Sequence, residues 1–235
     1  MQYLKKHINY DANLKSGLGA PSEPPAFSLL DENPLLWFKP DLLSSLTTTG
    51  NNVDQIDDQS GNGRDAIYTP SAPQTNLDTI NDLNVLTFTG DGLRVADVAL
   101  GLVDIFLVFN TADTKYTPFL SQSDQYVMLL ESGSVNTITS LNAGSPSYYK
   151  NGVLQTATNR GGLYAEFDNQ DVVVLIRNAD MSNWDHLNIG NHDSVPTEMD
   201  ALFGEMAIFE AAKTNEAINK IGNYFNRWGL NWTDI

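Results

Sequence analysis

The stretch Tyr148-Tyr149-Lys150-Asn151-Gly152-Val153-Leu154 limits the fold more than any other part of the chain. Two strand-like runs flank an Asn-Gly pair. A type I′ turn needs positive φ at both central residues, and these two residue types tolerate it. The segment therefore predicts a β-hairpin. The same alternation of strand and turn recurs along the sequence. Leu36-Trp37-Phe38 reads as a short apolar strand, and Ser60-Gly61-Asn62-Gly63 as a tight turn. Val85 to Thr89 alternates and stops at Gly90-Asp91-Gly92. Asp104 to Phe109 and Tyr126 to Leu130 are candidate buried strands. Val172 to Ile176 is a β-branched run of the kind covered on both faces. Leu187 to Gly190 and Leu202 to Phe209 complete the set.

One helix interrupts this pattern. Thr214 can cap it, Glu216 suits the positive end of its dipole, and Gly229 can end it. Ile218, Ile221, Phe225 and Trp228 recur at spacings of three and four, which makes one apolar stripe. That stripe is expected to lie against the outside of a sandwich or under its edge. Trp37 and Trp228 are expected in the core, and Trp232 is expected to pack the tail down.

Composition removes several chemistries. The chain has 235 residues and no cysteine, so disulfides, thiolate nucleophiles and Cys-ligated metals are excluded. Its net charge of −16 argues against nucleic acid and against an anionic membrane surface, both of which call for clustered Lys and Arg. The most apolar stretch, Val98 to Phe109, contains Asp104 and is too short to span a bilayer. No apolar run follows Met1-Gln2-Tyr3-Leu4-Lys5-Lys6-His7, so no signal peptide is expected.

Residues 1–33 read differently from the rest. Gly17 to Pro25 mixes glycines that loosen a chain with prolines that extend it, as in a linker. Tyr3, Leu4, Ile8, Tyr10, Leu14 and Phe27 are costly to leave in water. The segment is therefore expected to be an arm that docks on a neighbouring protein, with residues 34–235 forming the folded domain.

The order of the blocks resembles a known family. Leu36-Trp37-Phe38 is followed by Asp58-Gln59-Ser60-Gly61-Asn62-Gly63 and Ala66, by Phe88-Thr89-Gly90, and by the Asn151-Gly152 hairpin. Then come Leu187-Asn188-Ile189-Gly190, Phe203-Gly204-Glu205-Met206-Ala207-Ile208-Phe209 and a terminal helix ending Arg227-Trp228-Gly229. The series is similar to the laminin-G-like, concanavalin A-like lectin-glucanase jelly-roll domains found in tailed-phage structural and surface proteins. The resemblance covers residues 35–232 and implies an all-β, two-sheet antiparallel jelly-roll sandwich with one C-terminal helix. It further implies a non-enzymatic accessory protein of a phage particle: a decoration, collar or tail-associated component. Such a protein is made in the host cytoplasm, is oligomeric in the virion, and docks on other virion proteins through its arm. Two alternatives accompany that reading, a glycan-binding adhesin for host surface polysaccharide and a laminarinase-type glycoside hydrolase.

Candidate chemistry follows these alternatives. A hydrolase needs paired carboxylates, and Glu166-Phe167-Asp168-Asn169-Gln170-Asp171 approximates the family's Glu-x-Asp-x-x-Glu strand. The last position is shortened to Asp, and Gly161-Gly162 suggests a loop. No catalytic residue is assigned. His186 and His192 share strand parity, but six residues of strand put them about 20 Å apart, too far for one ion. Calcium is conceivable because Asp54, Asp57, Asp58, Asp91, Asp185, Asp193 and Asp200 offer hard oxygens. The Asp57-Asp58 pair is more simply a turn that bonds its own backbone, and no metal or cofactor is assigned. Glycan contact is expected at Trp184, Asp185, Asn191, His192 and Asp193, near strand ends where loops gather. The competing expectation for Trp184 is that it anchors its loop in the core.

Overall fold

The computed structural model describes residues 27–111, 117–123, 125–191 and 199–235. Tyr3, Leu4, Ile8, Tyr10, Leu14, His192 and Asp193 therefore lie outside the described residues. Among the described residues there are fifteen strands and two α-helices. The strands are β1 (Leu36–Phe38), β2 (Leu46–Thr49), β3 (Asn52–Ile56), β4 (Ala66–Tyr68), β5 (Gln74–Ile80), β6 (Leu83–Thr89), β7 (Leu93–Ala96) and β8 (Leu102–Thr111). They continue with β9 (Thr117–Gln122), β10 (Gln125–Leu130), β11 (Ser147–Lys150), β12 (Val153–Leu154), β13 (Val172–Asp180), β14 (His186–Ile189) and β15 (Asp200–Glu210). The helices are α1 (Arg160–Phe167) and α2 (Asn215–Tyr224).

All paired strands run antiparallel, in a continuous order that folds over into a jelly-roll-like sandwich. One layer runs β6-β15-β8-β13-β11-β12, with β1 beside the C-terminal half of β15. The other runs β10-β9-β14-β7-β4-β3, and β5 links the two. Alternation along the strands fills the space between the layers. Ile105, Leu107, Val174, Ile176, Met206 and Ile208 of the first layer share a core with Leu93, Val95, Leu120, Leu187 and Ile189 of the second.

The first layer is covered on its other face as well. Phe106, Val108, Val173, Leu175, Ala207 and Phe209 pack beneath Ile218, Ile221, Phe225 and Trp228. This explains the apolar runs Ile105 to Phe109 in β8 and Val172 to Ile176 in β13, which are buried on both faces. Thr214 caps α2 by accepting the Ala217 N–H at 3.2 Å, and Gly229 closes the following 3-10 turn at φ 75°. At the β11–β12 hairpin, Asn151 and Gly152 take φ values of 49° and 85°, as the turn requires.

Glu205 is fully buried under the helix and receives five hydrogen bonds. Oε1 accepts from Trp37 Nε1 at 2.7 Å and the Tyr224 hydroxyl at 3.1 Å. Oε2 accepts from Arg227 Nη2 at 2.6 Å, Arg227 Nε at 3.2 Å and Trp228 Nε1 at 2.8 Å. Arg227 in turn holds Asp41 through both terminal nitrogens, at 2.8 and 2.7 Å. The register shift between Phe203 and Glu205 makes this possible. Two residues apart on a regular strand, both side chains would enter the core; the bulge at Gly204 turns Glu205 to the helix side. A Cβ on Gly204 would stand 2.7 Å from Val108 Cγ1, so the bulge has room only for glycine.

Two expectations are corrected here. Residues 27–33, assigned to the arm from composition, pack on the sandwich. Leu29 is fully buried in the cluster under α2, and Lys213 Nζ donates to the Glu32 carbonyl at 2.9 Å. Gly161-Gly162 is not a loop but the first turn of α1, where Asn159 Oδ1 accepts the Gly162 N–H at 2.7 Å. Glycine is needed at 161 because a Cβ there would meet Ser134 O at 2.6 Å.

Candidate functional site

Of the residues expected to contact glycan, the three described ones, Trp184, Asp185 and Asn191, do not come together. Trp184 is 1% exposed and belongs to the core between the layers, so its ring presents no face to a sugar. The expectation that it anchors its loop in the core is the one the structure carries. Asp185 and Asn191 flank β14 at opposite ends, six residues apart, a separation of about 20 Å along an extended chain. Asp185 is exposed at the lower end. Its carboxylate bonds His186 Nδ1, its N–H donates to Gln122 Oε1 at 2.6 Å, and its carbonyl accepts from Asp97 N–H at 2.8 Å.

Asn191 sits at the upper end, where three loops meet. Its Nδ2 donates to the Thr69 carbonyl at 3.2 Å, and its own carbonyl accepts the Ser121 hydroxyl at 2.6 Å. Thr69 N–H donates to Gly92 O at 2.8 Å, and Gly92 N–H donates to Ser71 O at 3.3 Å. A Cβ on Gly92 would stand 2.5 Å from both Asn191 Cβ and Thr69 O, so the glycine lets the loops close on one another. Asp91 is the polar pivot of this rim. Its Oδ1 accepts the Ser71 hydroxyl at 2.6 Å, and its Oδ2 accepts the Thr89 N–H and hydroxyl, both at 3.1 Å.

The chemistry offered to solvent follows from those bonds. Ser71 and Thr89 are exposed, and each spends its only proton on Asp91. What remains on each hydroxyl is acceptor capacity. Tyr68 ends β4 opposite Leu93 and three residues before Ser71, 47% exposed, although its strand parity matches the buried Ala66. It stands beyond the edge of the core with its aromatic surface in water. The rim thus combines an aromatic surface with fixed acceptors and the Asn191 amide. Thr89 also borders a depression of about 250 Å³ lined in part by Phe88, Asn110 and Asp200.

The other candidates resolve as structure. Asp58 accepts from Trp37 N–H, Ser60 N–H and hydroxyl, and Arg64 N–H, which locks the glycine-rich turn. Asp57 accepts from Gln55 Nε2 at 2.8 Å. No group of three or more His, Asp or Glu is placed to hold a metal among the described residues. Glu166 lies on α1, Asp168 caps that helix and accepts the Tyr164 hydroxyl at 2.7 Å, and Asp171 accepts from Asn110 at 2.8 Å. These three carboxylates do not share one strand face, as the hydrolase motif would require.

Tyr68, Ser71 and Thr89 were not singled out in the sequence. Each looks like an ordinary strand end or turn residue, and the rim contacts Ser71–Asp91 and Asn191–Thr69 join positions 20 and 122 residues apart. The local signals were Thr69-Pro70-Ser71 and Gly90-Asp91-Gly92, two turns whose adjacency only the sheet order reveals.

No protein-family model matches the chain, and no curated protein sequence does so. Among solved structures it is similar to domain 4 of AbnA, an extracellular arabinanase from Geobacillus stearothermophilus, determined with arabinotriose. Identity is 16%, coverage is 81% of this chain and 98% of that one, and the TM-score is 0.49. It is also similar to the receptor-binding domain of a botulinum neurotoxin of mosaic serotype C/D, at 13% identity, 86% and 55% coverage, and a TM-score of 0.45. A third likeness is to the Trypanosoma rangeli sialidase, at 10% identity, 83% and 33% coverage, and a TM-score of 0.46. The chain thus spans about half of the toxin domain and a third of the sialidase. At such identities no residue role passes from them to this chain.

Proposed function

We propose that the chain is a non-catalytic, lectin-like sandwich that binds glycan through its upper rim. The observation that carries this reading is the exposed Tyr68 beside Ser71 and Thr89, two exposed hydroxyls whose protons are committed to Asp91. Saccharides combine apolar C–H faces, which pack on aromatic rings, with hydroxyls that need acceptors. The rim supplies both, and Asn191 adds an amide fixed by Thr69. Because Asp91 and Gly92 hold the loops together, little order has to be gained on binding, which favours affinity.

The distribution of carboxylates supports a binding role over hydrolysis, since Glu166 lies on α1 while Asp168 and Asp171 accept hydrogen bonds from Tyr164 and Asn110. In this reading the segment before Phe27 supplies attachment to other virion proteins, as the family resemblance implies, and the sandwich displays the glycan site. Deleting residues 1–26 is then expected to prevent incorporation into particles and to leave sugar binding unchanged.

The test is a glycan array and thermal-shift screen of the full chain beside Tyr68→Ala and Asn191→Ala. A sugar that raises the melting temperature of the parent, and fails to do so for both variants, supports the rim. A sugar that stabilises all three equally contradicts it, as does a parent that responds to none.

A further inference from the structure

A second cavity lies away from this rim, on the solvent side of α2. It measures about 740 Å³ and is lined by Phe27, five positions of the helix including Tyr224, and Asp234. That volume falls within the roughly 300–1,000 Å³ typical of small-molecule sites. Its wall is aromatic. Phe27 is 37% exposed and meets Tyr224 edge-on, with ring centroids 6.4 Å apart.

The wall is also stiff. Tyr224 is tied to the buried Glu205 through its hydroxyl at 3.1 Å, and it lies under the Arg227 guanidinium, 5.4 Å from its ring. The five-bonded carboxylate therefore extends its order to the cavity surface. The polar groups are fixed as well. Asn219 Oδ1 accepts the Trp232 indole N–H at 3.3 Å and the Ile235 N–H at 3.0 Å, which orients its amide donors. Asn223 Nδ2 donates to Asp234 Oδ1 at 3.1 Å, while its Oδ1 accepts from Asn226. Glu216 and Lys220 pair at 2.9 Å.

We propose that this cavity is a second carbohydrate site, taking a short neutral oligosaccharide. The ligand class follows from the lining. Phe27 and Tyr224 provide an apolar wall for a sugar ring, and the Asn219 amide faces the ligand as donor with Asp234 as acceptor. With Glu216 neutralised by Lys220, Asp234 leaves the cavity one net negative charge, so uronic or sialic sugars are disfavoured. The site shares no residue with the rim. A sandwich with two sites some distance apart grips a polymer by avidity, even where each site alone is weak.

The experiment is amide-resolved NMR titration of the full chain with maltotriose and with cellotriose, beside a trigalacturonate control. The expected result is saturable shifts of residues 216–224 with a neutral trisaccharide and none with the anionic one. Phe27→Ala should weaken that binding at least about tenfold, and Asp234→Ala should weaken it severalfold. Phe27 is partly exposed, so its loss should leave the fold intact, and the undisturbed remainder of the spectrum reports this. Tyr68→Ala should leave the helix-side shifts in place, which separates this site from the rim. No shift at 216–224 with either neutral sugar, or shifts unaltered by Phe27→Ala, would overturn the proposal. Shifts confined to the rim would overturn it while leaving the rim reading intact.

Discussion

The helix-covered face and the upper rim each hold an anionic side chain by hydrogen bonds, and they use it in opposite ways. Under α2, Glu205 is fully buried, and its five bonds all come from side chains that are themselves wholly or partly buried. That network meets solvent only at its outer members, Tyr224 and Arg227. At the rim, Asp91 holds two exposed hydroxyls and leaves an aromatic ring in water beside them. The first arrangement fastens a helix to a sheet. The second presents a patterned surface. A chemically similar carboxylate serves the fold where its partners are wholly or partly buried and, in the proposed reading, serves binding where its partners face out.

This contrast predicts separable effects. The largest belongs to Glu205→Ala, which strands two indole N–H groups and leaves Arg227 only Asp41 as an ion-pair partner, and should cost about 3–5 kcal/mol. Chemical denaturation would measure it, and rim sugar binding at temperatures where the variant stays folded should be unchanged. Next is truncation. A chain beginning at Pro34 loses the buried Leu29 and the Glu32–Lys213 contact, and should be about 2–4 kcal/mol less stable than one beginning at Phe27. Equal stability of the two would return residues 27–33 to the arm.

A smaller effect sharpens the comparison within the helix-covered layer itself. Asp104 is also fully buried, but its Oδ1 accepts only the Asn178 N–H, and its Oδ2 lies 3.8 Å from Arg177 Nε without a hydrogen bond. Burial raises its pKa above the ordinary carboxylate value, and the Asn178 bond and nearby Arg177 only partly oppose this. The folded state therefore keeps the proton to higher pH than the unfolded state does. Its contribution to stability falls as pH rises from the unfolded pKa of 3.8 through the raised folded value. Asp104→Asn should remove that slope and change stability little on the acid side, as stability measured against pH would show. The smallest effect on stability is that of Tyr68→Ala, within about 0.5 kcal/mol, because the ring is already in water.

Much of the fold was legible because its signals are local. Asn151-Gly152 fixes a turn through φ alone, Val172 to Ile176 announces two buried faces, and Thr214 with Gly229 brackets the helix. The α1 helix was misread because Gly161 and Gly162 are poor helix formers, and Gly161 is kept for a close approach to Ser134 that sequence does not display. The arm was drawn too long because the Gly-Pro stretch marks a linker without marking where packing resumes. Of the proposed rim, the sequence offered Asn191 as a glycan contact and Gly90-Asp91-Gly92 as a turn. Trp184 attracted attention as an aromatic in a loop-rich region, but the core claimed it. Tyr68 became visible only when the sheet order carried β4 to the same end as Gly92 and Asn191.

The most direct measurement is the affinity of the full chain and of Tyr68→Ala for whichever glycan the array identifies, by isothermal calorimetry at one temperature. The account predicts at least about tenfold weaker binding, near 1.4 kcal/mol, with an unchanged melting temperature in the absence of sugar. Equal affinity in the two proteins would contradict it, and would place glycan recognition elsewhere on the sandwich.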